Sequence, residues 1–301
     1  MMKTTYLLLA MVLAVTGTAV SVAGDSGLIA PGAKLEQLAG EFKFTEGPAA
    51  DAQGNVLFTD QPNDRIMKWS TDGKLTTFMQ PCGRSNGLCF DRQGNLWACA
   101  DEKNELWCID PAGKVTVVLK DFQGKLFNGP NDLWFRPDGG LYFTDPYYKR
   151  KYWTRGPMEQ GQFVYYLAPD RKKPVRVAED LTQPNGVIGT PDGKTLYVAD
   201  IGAKKTYAYD IQADGSLSGK QLFCEMGSDG MTIDERGNVY LTGKGVFVFD
   251  RSGKQIEHIA VDSEPWTANV CFGGKDRQTL FITASKGLYA IRLQVKGTDS
   301  Q

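Results

Sequence analysis

A short pattern recurs along this chain and restricts what it can fold into: a polar residue, a glycine turn, then an apolar run that closes on Thr-Asp or a close variant. Five copies are plain: DAQGNVLFTD at 51–60, DRQGNLWACAD at 91–101, RPDGGLYFTD at 136–145, TPDGKTLYVAD at 190–200 and DERGNVYLTG at 234–243. A sixth, KDRQTLFITAS at 275–285, is degenerate. Two strand-like runs about a glycine turn read as an antiparallel hairpin. The clearest case is 127–146, FNGPNDLWFRPDGGLYFTDP, where Asn131-Asp132 stands just before the first run. The turn glycines Gly54, Gly94, Gly139, Gly193 and Gly237 follow one another at 40 to 54 residues. In the second unit four strands can be counted, at 87–91, 96–100, 106–110 and 115–119. A period of that length with several short strands per unit marks a β-propeller. The predicted fold is all-β: six four-stranded antiparallel blades around a central axis, one domain over 34–295. The last unit lacks an outer strand after 288–293. Segment 34–40 is placed to supply it and close the ring, leaving no exposed sheet edge.

The ends read differently. Residues 1–24 carry Lys3, a largely apolar stretch at 7–20 and small residues at Ser21-Val22-Ala23, the pattern of a signal peptide rather than of a membrane anchor. An exported, periplasmic protein is expected, with no membrane association after the leader is removed, a short extension at 25–33 and a tail at 296–301. Without Lys3 the chain has 33 basic against 35 acidic residues. No basic stripe stands out, so nucleic acid is not an implied partner. A monomer is expected, a dimer being the alternative. The six cysteines are Cys82, Cys89, Cys99, Cys108, Cys224 and Cys271. Four of them (Cys89, Cys99, Cys108 and Cys271) sit within apolar strand patterns and read as small buried hydrophobes.

Aligning the units on their turns places Glu46, Asn86, Asn131, Asn185, Asp229 and Asn269 where each innermost strand begins beside the axis. Their contexts are TEGP, SNGL, PNDL, PNGV, SDGM and ANVC. Asn and Asp are ordinary turn residues at any one strand start. Six side-chain oxygens converging on one axis, with a Glu among them, are better explained as a site for a hard cation of the Ca²⁺ type. They are the wrong set for zinc, which favours His and Cys. Asp60, Asp101, Asp145 and Asp200 end the second strand of four units. They are expected near the same mouth as turn residues, with Asp132, Asp145 and Asp200 candidates for holding amide ligands in orientation. The long loop at 146–162 leaves that mouth and is aromatic and basic. Its Tyr147 and Tyr148 suit a sugar-like ligand, and its Lys and Arg residues suit an acidic product.

Absences narrow the chemistry. His258 is the only histidine, in an outer-strand context, which rules out a His–Asp triad or a histidine metal cage. There is no Gly-x-Ser-x-Gly elbow and no Walker-type phosphate loop.

Over most of its length the chain resembles the regucalcin/gluconolactonase family of six-bladed propellers. The resemblance is carried by Glu46-Gly47-Pro48, Pro130-Asn131-Asp132 with Phe143-Thr144-Asp145-Pro146, Pro184-Asn185-Gly186, Asp229-Gly230-Met231 and the Phe272-Gly273-Gly274 run after Asn269. It implies a divalent metal, Ca²⁺, on Glu46, Asn185 and Asp229, with Asn131 beside it in contact with substrate or metal. It also implies hydrolysis of a sugar lactone such as gluconolactone. Asn86, Asn269, Tyr147 and Tyr148 join Asn131 as candidate substrate contacts, and Asp229 is the candidate general base. Alternatives are a phosphotriester hydrolase on the same four residues, a quinone-dependent sugar dehydrogenase, and a non-enzymatic binding propeller. The missing catalytic histidine disfavours the dehydrogenase, and the oxygen ring disfavours the binding propeller.

Overall fold

The computed structural model describes residues 26–298. The leader pattern at 1–24 and the last residues of the tail lie outside the described residues. Six four-stranded antiparallel sheets are arranged as the repeat predicts. Their innermost strands are Thr45–Ala50, Leu88–Phe90, Leu133–Phe135, Pro184–Gly189, Met231–Ile233 and Thr267–Gly273, which number blades 1 to 6 here.

The repeated turn has a specific chemistry. In blade 1 the Asp51 carboxylate accepts the backbone N–H groups of Gln53 and Asn55 and the Asn55 side-chain amide. Gly54 sits between them at φ +86°, a conformation that a side chain would strain. The same Asp, Gly and Asn recur at Asp91, Gly94, Asn95 and at Asp234, Gly237, Asn238. After each turn comes a second strand buried along its whole length, as in Val56–Asp60, Leu96–Ala100 and Leu141–Asp145. These strands lose the usual in–out alternation because both faces of each sheet pack on neighbouring blades. Between blades 2 and 3, Trp97 meets Phe135 edge to face at 5.3 Å, and Phe143 stacks on Tyr165 at 5.1 Å within blade 3.

Ring closure follows the sequence reading: Glu36–Ala39 pairs antiparallel with Gly287–Arg292 as the outer strand of blade 6. The flanking segments are less detached than expected. Leu28 is buried and Ile29 bridges Leu293. At the other end Gly297 bridges Asp234, and the Thr298 N–H donates to the Ile233 carbonyl. Two features have no counterpart in the repeat, a small hairpin of Asp121–Phe122 with Lys125–Leu126 and the 3-10 turns Gln61–Asn63 and Asp101–Lys103. All six cysteines are free thiols, Cys108 and Cys271 only partly buried.

Candidate active site

Backbone packing makes the ring before any side chain does. A glycine follows the axial residue in four blades, and each nests on the next blade's axial residue: Gly47 on Asn86, Gly87 on Asn131, Gly186 on Asp229 and Gly230 on Asn269. A Cβ at Gly47 or Gly230 would overlap the neighbour outright. Second-strand threonines tie the same seam. Thr59 Oγ1 donates to the Asn86 carbonyl at 3.1 Å, Thr144 Oγ1 to the Asn185 carbonyl at 2.7 Å, and Thr242 Oγ1 to the Ala268 carbonyl at 2.8 Å. The Thr of the recurring Thr-Asp thus fixes the strand start of the following blade. The sequence shows these threonines plainly, but nothing in one chain says which neighbour they reach.

Three of the predicted residues converge. Asn185 Nδ2 donates to Asp229 Oδ1 at 2.8 Å and to the Tyr148 hydroxyl oxygen at 2.7 Å. Asn185 Oδ1 is buried and has no hydrogen-bond partner among the described residues. Glu46 is 2 % exposed, and its Oε2 accepts the Gly47 N–H at 3.0 Å. Its carboxyl is pushed well above the usual range, first by burial and then by the charge of Asp229. Burial also raises Asp229, against the Trp266 indole N–H that donates to its Oδ2 at 2.8 Å. Two buried carboxyls, Glu46 raised in part by the charge of Asp229, beside a carbonyl oxygen with no donor among the described residues, form an oxygen-rich donor set that a cation would satisfy. Its chemistry is all oxygen, as a calcium-type cation prefers. Among the described residues no group of three or more His, Cys, Asp or Glu side chains is placed to hold a metal. Amide oxygens must complete any such site.

The other predicted residues divide. Asn86 and Asn131 are buried in the ring. Asn269 accepts the N–H of Val270 on its Oδ1 and lines a channel of about 80 Å³ together with Asp132. Tyr148 reaches Asn185, but Tyr147 turns its hydroxyl to the Gly156 carbonyl. That is the pleat at work: adjacent residues of an extended segment face opposite ways. Asp132 lines the channel, accepts the N–H groups of Leu133 and Val187, and burial pushes its carboxyl up to about 7.

The strand-end aspartates Asp60, Asp145 and Asp200 clamp backbone rather than the axial amides. Asp60 accepts N–H groups from Lys43 and Phe44, Asp145 from Asn128 and Gly129, and Asp200 from Thr182 and Gln183. Each pair leads into the axial residue of the same blade, so the carboxylates position Glu46, Asn131 and Asn185 through the chain. Burial pushes Asp145 up to about 7 despite its two donors. Asp101 differs: its partners are Gln61 at 3.0 Å and Arg155 at 2.6 Å, which brings loop 146–162 over the mouth. Trp266 and Arg150 were not among the residues singled out in the sequence. A tryptophan three residues ahead of the axial Asn269 was a visible signal for the first.

The family described as SMP-30/Gluconolactonase/LRE-like region matches residues 44–286. The chain belongs to this family. It is similar to the gluconolactonase of Zymomonas mobilis, 29 % identical over 87 % of this chain and 82 % of that one. It is also similar to the diisopropyl-fluorophosphatase of Loligo vulgaris, 27 % identical over 70 % of this chain and 76 % of that one. The solved structure of a gluconolactonase from Xanthomonas campestris superposes with a TM-score of 0.81 at 30 % identity, covering 87 % of this chain and 90 % of that one.

Proposed function

We propose that this chain is a calcium-dependent lactonase acting on a sugar lactone such as gluconolactone. Family membership and the gluconolactonase relatives support a hydrolase acting on carboxylic ester bonds. The observation that carries metal dependence is the unpartnered Asn185 Oδ1 beside the buried, raised carboxyls of Glu46 and Asp229.

Glu46, Asn185 and Asp229 would hold the cation, which when bound supplies Lewis-acid polarisation of the lactone carbonyl. Asp229 takes a proton from the attacking water as the water oxygen bonds to the carbonyl carbon. Its two oxygens are fixed by Asn185 Nδ2 and Trp266 Nε1, so the carboxylate meets the water without having to reorient. The acyl carbon–ring oxygen bond then breaks, the ring oxygen takes the proton from Asp229, and the acid released loses its own proton to solvent to give the aldonate. Tyr148 walls the site and fixes the Asn185 amide. Glu46 is a ligand only, and Asn131 starts the blade that precedes that of Asn185 in the ring.

The fluorophosphatase relative keeps phosphotriester hydrolysis as the second reading. Chelated enzyme should be assayed with and without added calcium on aldonolactones, simple lactones and phosphotriesters. The proposal expects calcium-dependent turnover of the aldonolactones at a higher kcat/KM than any phosphotriester. The reverse order would overturn it. Export rests on the leader pattern alone, and the N-terminal sequence of protein recovered from a periplasmic fraction would test it.

A further inference from the structure

Loop 146–162 brings a guanidinium to the mouth and leaves it without a hydrogen bond among the described residues. Arg150 lies with its charge 4.6 Å over the Tyr148 ring, the same ring whose hydroxyl meets Asn185. Its side chain is 19 % exposed, and its Nε is buried without a partner. The nearest carboxylate oxygen, Asp101 Oδ2, is 3.7 Å away, beyond hydrogen-bond range. Asp101 is in any case taken up by Arg155 at 2.6 Å and by Gln61. Asp101 is the carboxylate that acts most strongly on Arg150, and Asp229 and Glu46 also favour its charge, which places it on the ring side of the loop.

Counting charge shows what such an arginine is for. Glu46 and Asp229 together carry two negative charges, which a bound divalent cation would cancel. Asp101 faces two guanidiniums, Arg155 at 2.6 Å and Arg150 at 3.7 Å, so one positive charge of that pair is left over. Arg150, held by an aromatic shelf and outside hydrogen-bond range of Asp101, brings it to the mouth with its planar fork of donors unspent. A planar anion is the matching ligand.

We propose that Arg150 contacts the ligand and binds a carboxylate at the mouth. The carboxylate comes either from the acid that lactone hydrolysis releases or from a second acid group on the lactone. The inference rests on the lactonase reading for the site, not for the arginine. Tyr148 is the positioning residue: its ring fixes the plane of the guanidinium, so ligand selectivity depends on the pair.

The test compares wild type, Arg150→Met and Arg150→Lys, all calcium-loaded. Calorimetry measures gluconate binding, and steady-state kinetics measure KM for uncharged gluconolactone and for glucarolactone, which carries a second carboxylate. Losing charge-assisted hydrogen bonds to one carboxylate should weaken gluconate binding by roughly 10- to 100-fold. In Arg150→Met that loss should exceed any rise in KM for gluconolactone by at least about fivefold, and Arg150→Lys should recover part of it. A matching selective rise in KM for glucarolactone places the carboxylate on the substrate, whereas its absence places it on the product. Equal effects on gluconate and gluconolactone, or no effect on gluconate, would overturn the proposal. If the wild type binds gluconate through Arg150 but hydrolyses no lactone, it is the lactonase reading that fails. Calcium affinity and thermal melting of each variant separate a misfolded loop from a lost contact.

Discussion

Replacing Glu46 with Gln should make the calcium-free protein more stable while weakening its hold on calcium. Glu46 is buried beside Asp229 with one backbone donor, Gly47, and its carboxyl is raised well above the usual range. A carboxyl raised in the fold is most favourable while protonated, and its contribution is lost as pH rises through the folded value. At pH 8 in chelator the native state must therefore carry two repelling buried carboxylates or hold a proton at a cost. Gln keeps the shape and leaves an oxygen for the Gly47 N–H, but removes the charge. Relieving one uncompensated buried carboxylate is worth about 1–3 kcal/mol, within the range for buried charge replaced by neutral groups. For a domain of this size each kcal/mol moves Tm by roughly 2 °C, so a rise of about 2–6 °C is expected in chelator. With millimolar calcium the order should reverse, because only the wild type gains the full binding free energy. Scanning calorimetry of both proteins, with chelator and with calcium, measures it. A Glu46→Gln protein that melts lower in chelator, or gains as much from calcium as the wild type, would refute the reasoning.

Asp229→Asn should lower kcat on a sugar lactone by roughly two to four orders of magnitude, the usual range for a lost general base. Saturating calcium should restore Glu46→Gln far more fully, and equal rescue in a calcium titration would reduce Asp229 to a ligand. Gly230→Ala places a methyl group on the Asn269 side chain and should lower both stability and calcium affinity, with affinity falling more than in Gly94→Ala, where no neighbour lies within contact range. Asp132 is pushed up to about 7 from an ordinary value near 4, so its stabilising contribution is whole below about pH 4 and is lost as pH rises through about 7. In chelator the wild-type Tm should fall across that window, and the slope should flatten in Asp132→Asn; parallel slopes would contradict the assignment.

Much of this architecture is written locally. The Asp51, Gly54 and Asn55 turn closes on itself within five residues, so one chain suffices to recognise it and its repeats. The closing strand was legible because blade 6 lacked a partner that 34–40 could provide. The axial oxygens were legible because the repeat puts them in register. What was not legible is the reach of side chains between blades. Thr144 serves Asn185 from 41 residues away, Trp266 serves Asp229 from 37, and Arg150 reaches the ring only after the loop folds back over the mouth. Asn269 carries the residue type of its axial neighbours but spends its oxygen on Val270, a difference of rotamer that no repeat alignment contains. Tyr147 and Tyr148 were equivalent as sequence and opposite as structure, since loop direction decides which of two adjacent rings faces in.

The central claim is that one cation on the axial oxygens turns this propeller into a lactonase. Titrating calcium into chelated wild-type protein, with heat of binding and gluconolactone hydrolysis followed on the same samples, tests it directly. The account predicts that activity returns in step with occupancy of a tight site containing Glu46, Asn185 and Asp229, and that Asn185→Ala loses the heat and the activity together. Full hydrolysis in chelator, or a binding isotherm that survives Asn185→Ala unchanged, would contradict it.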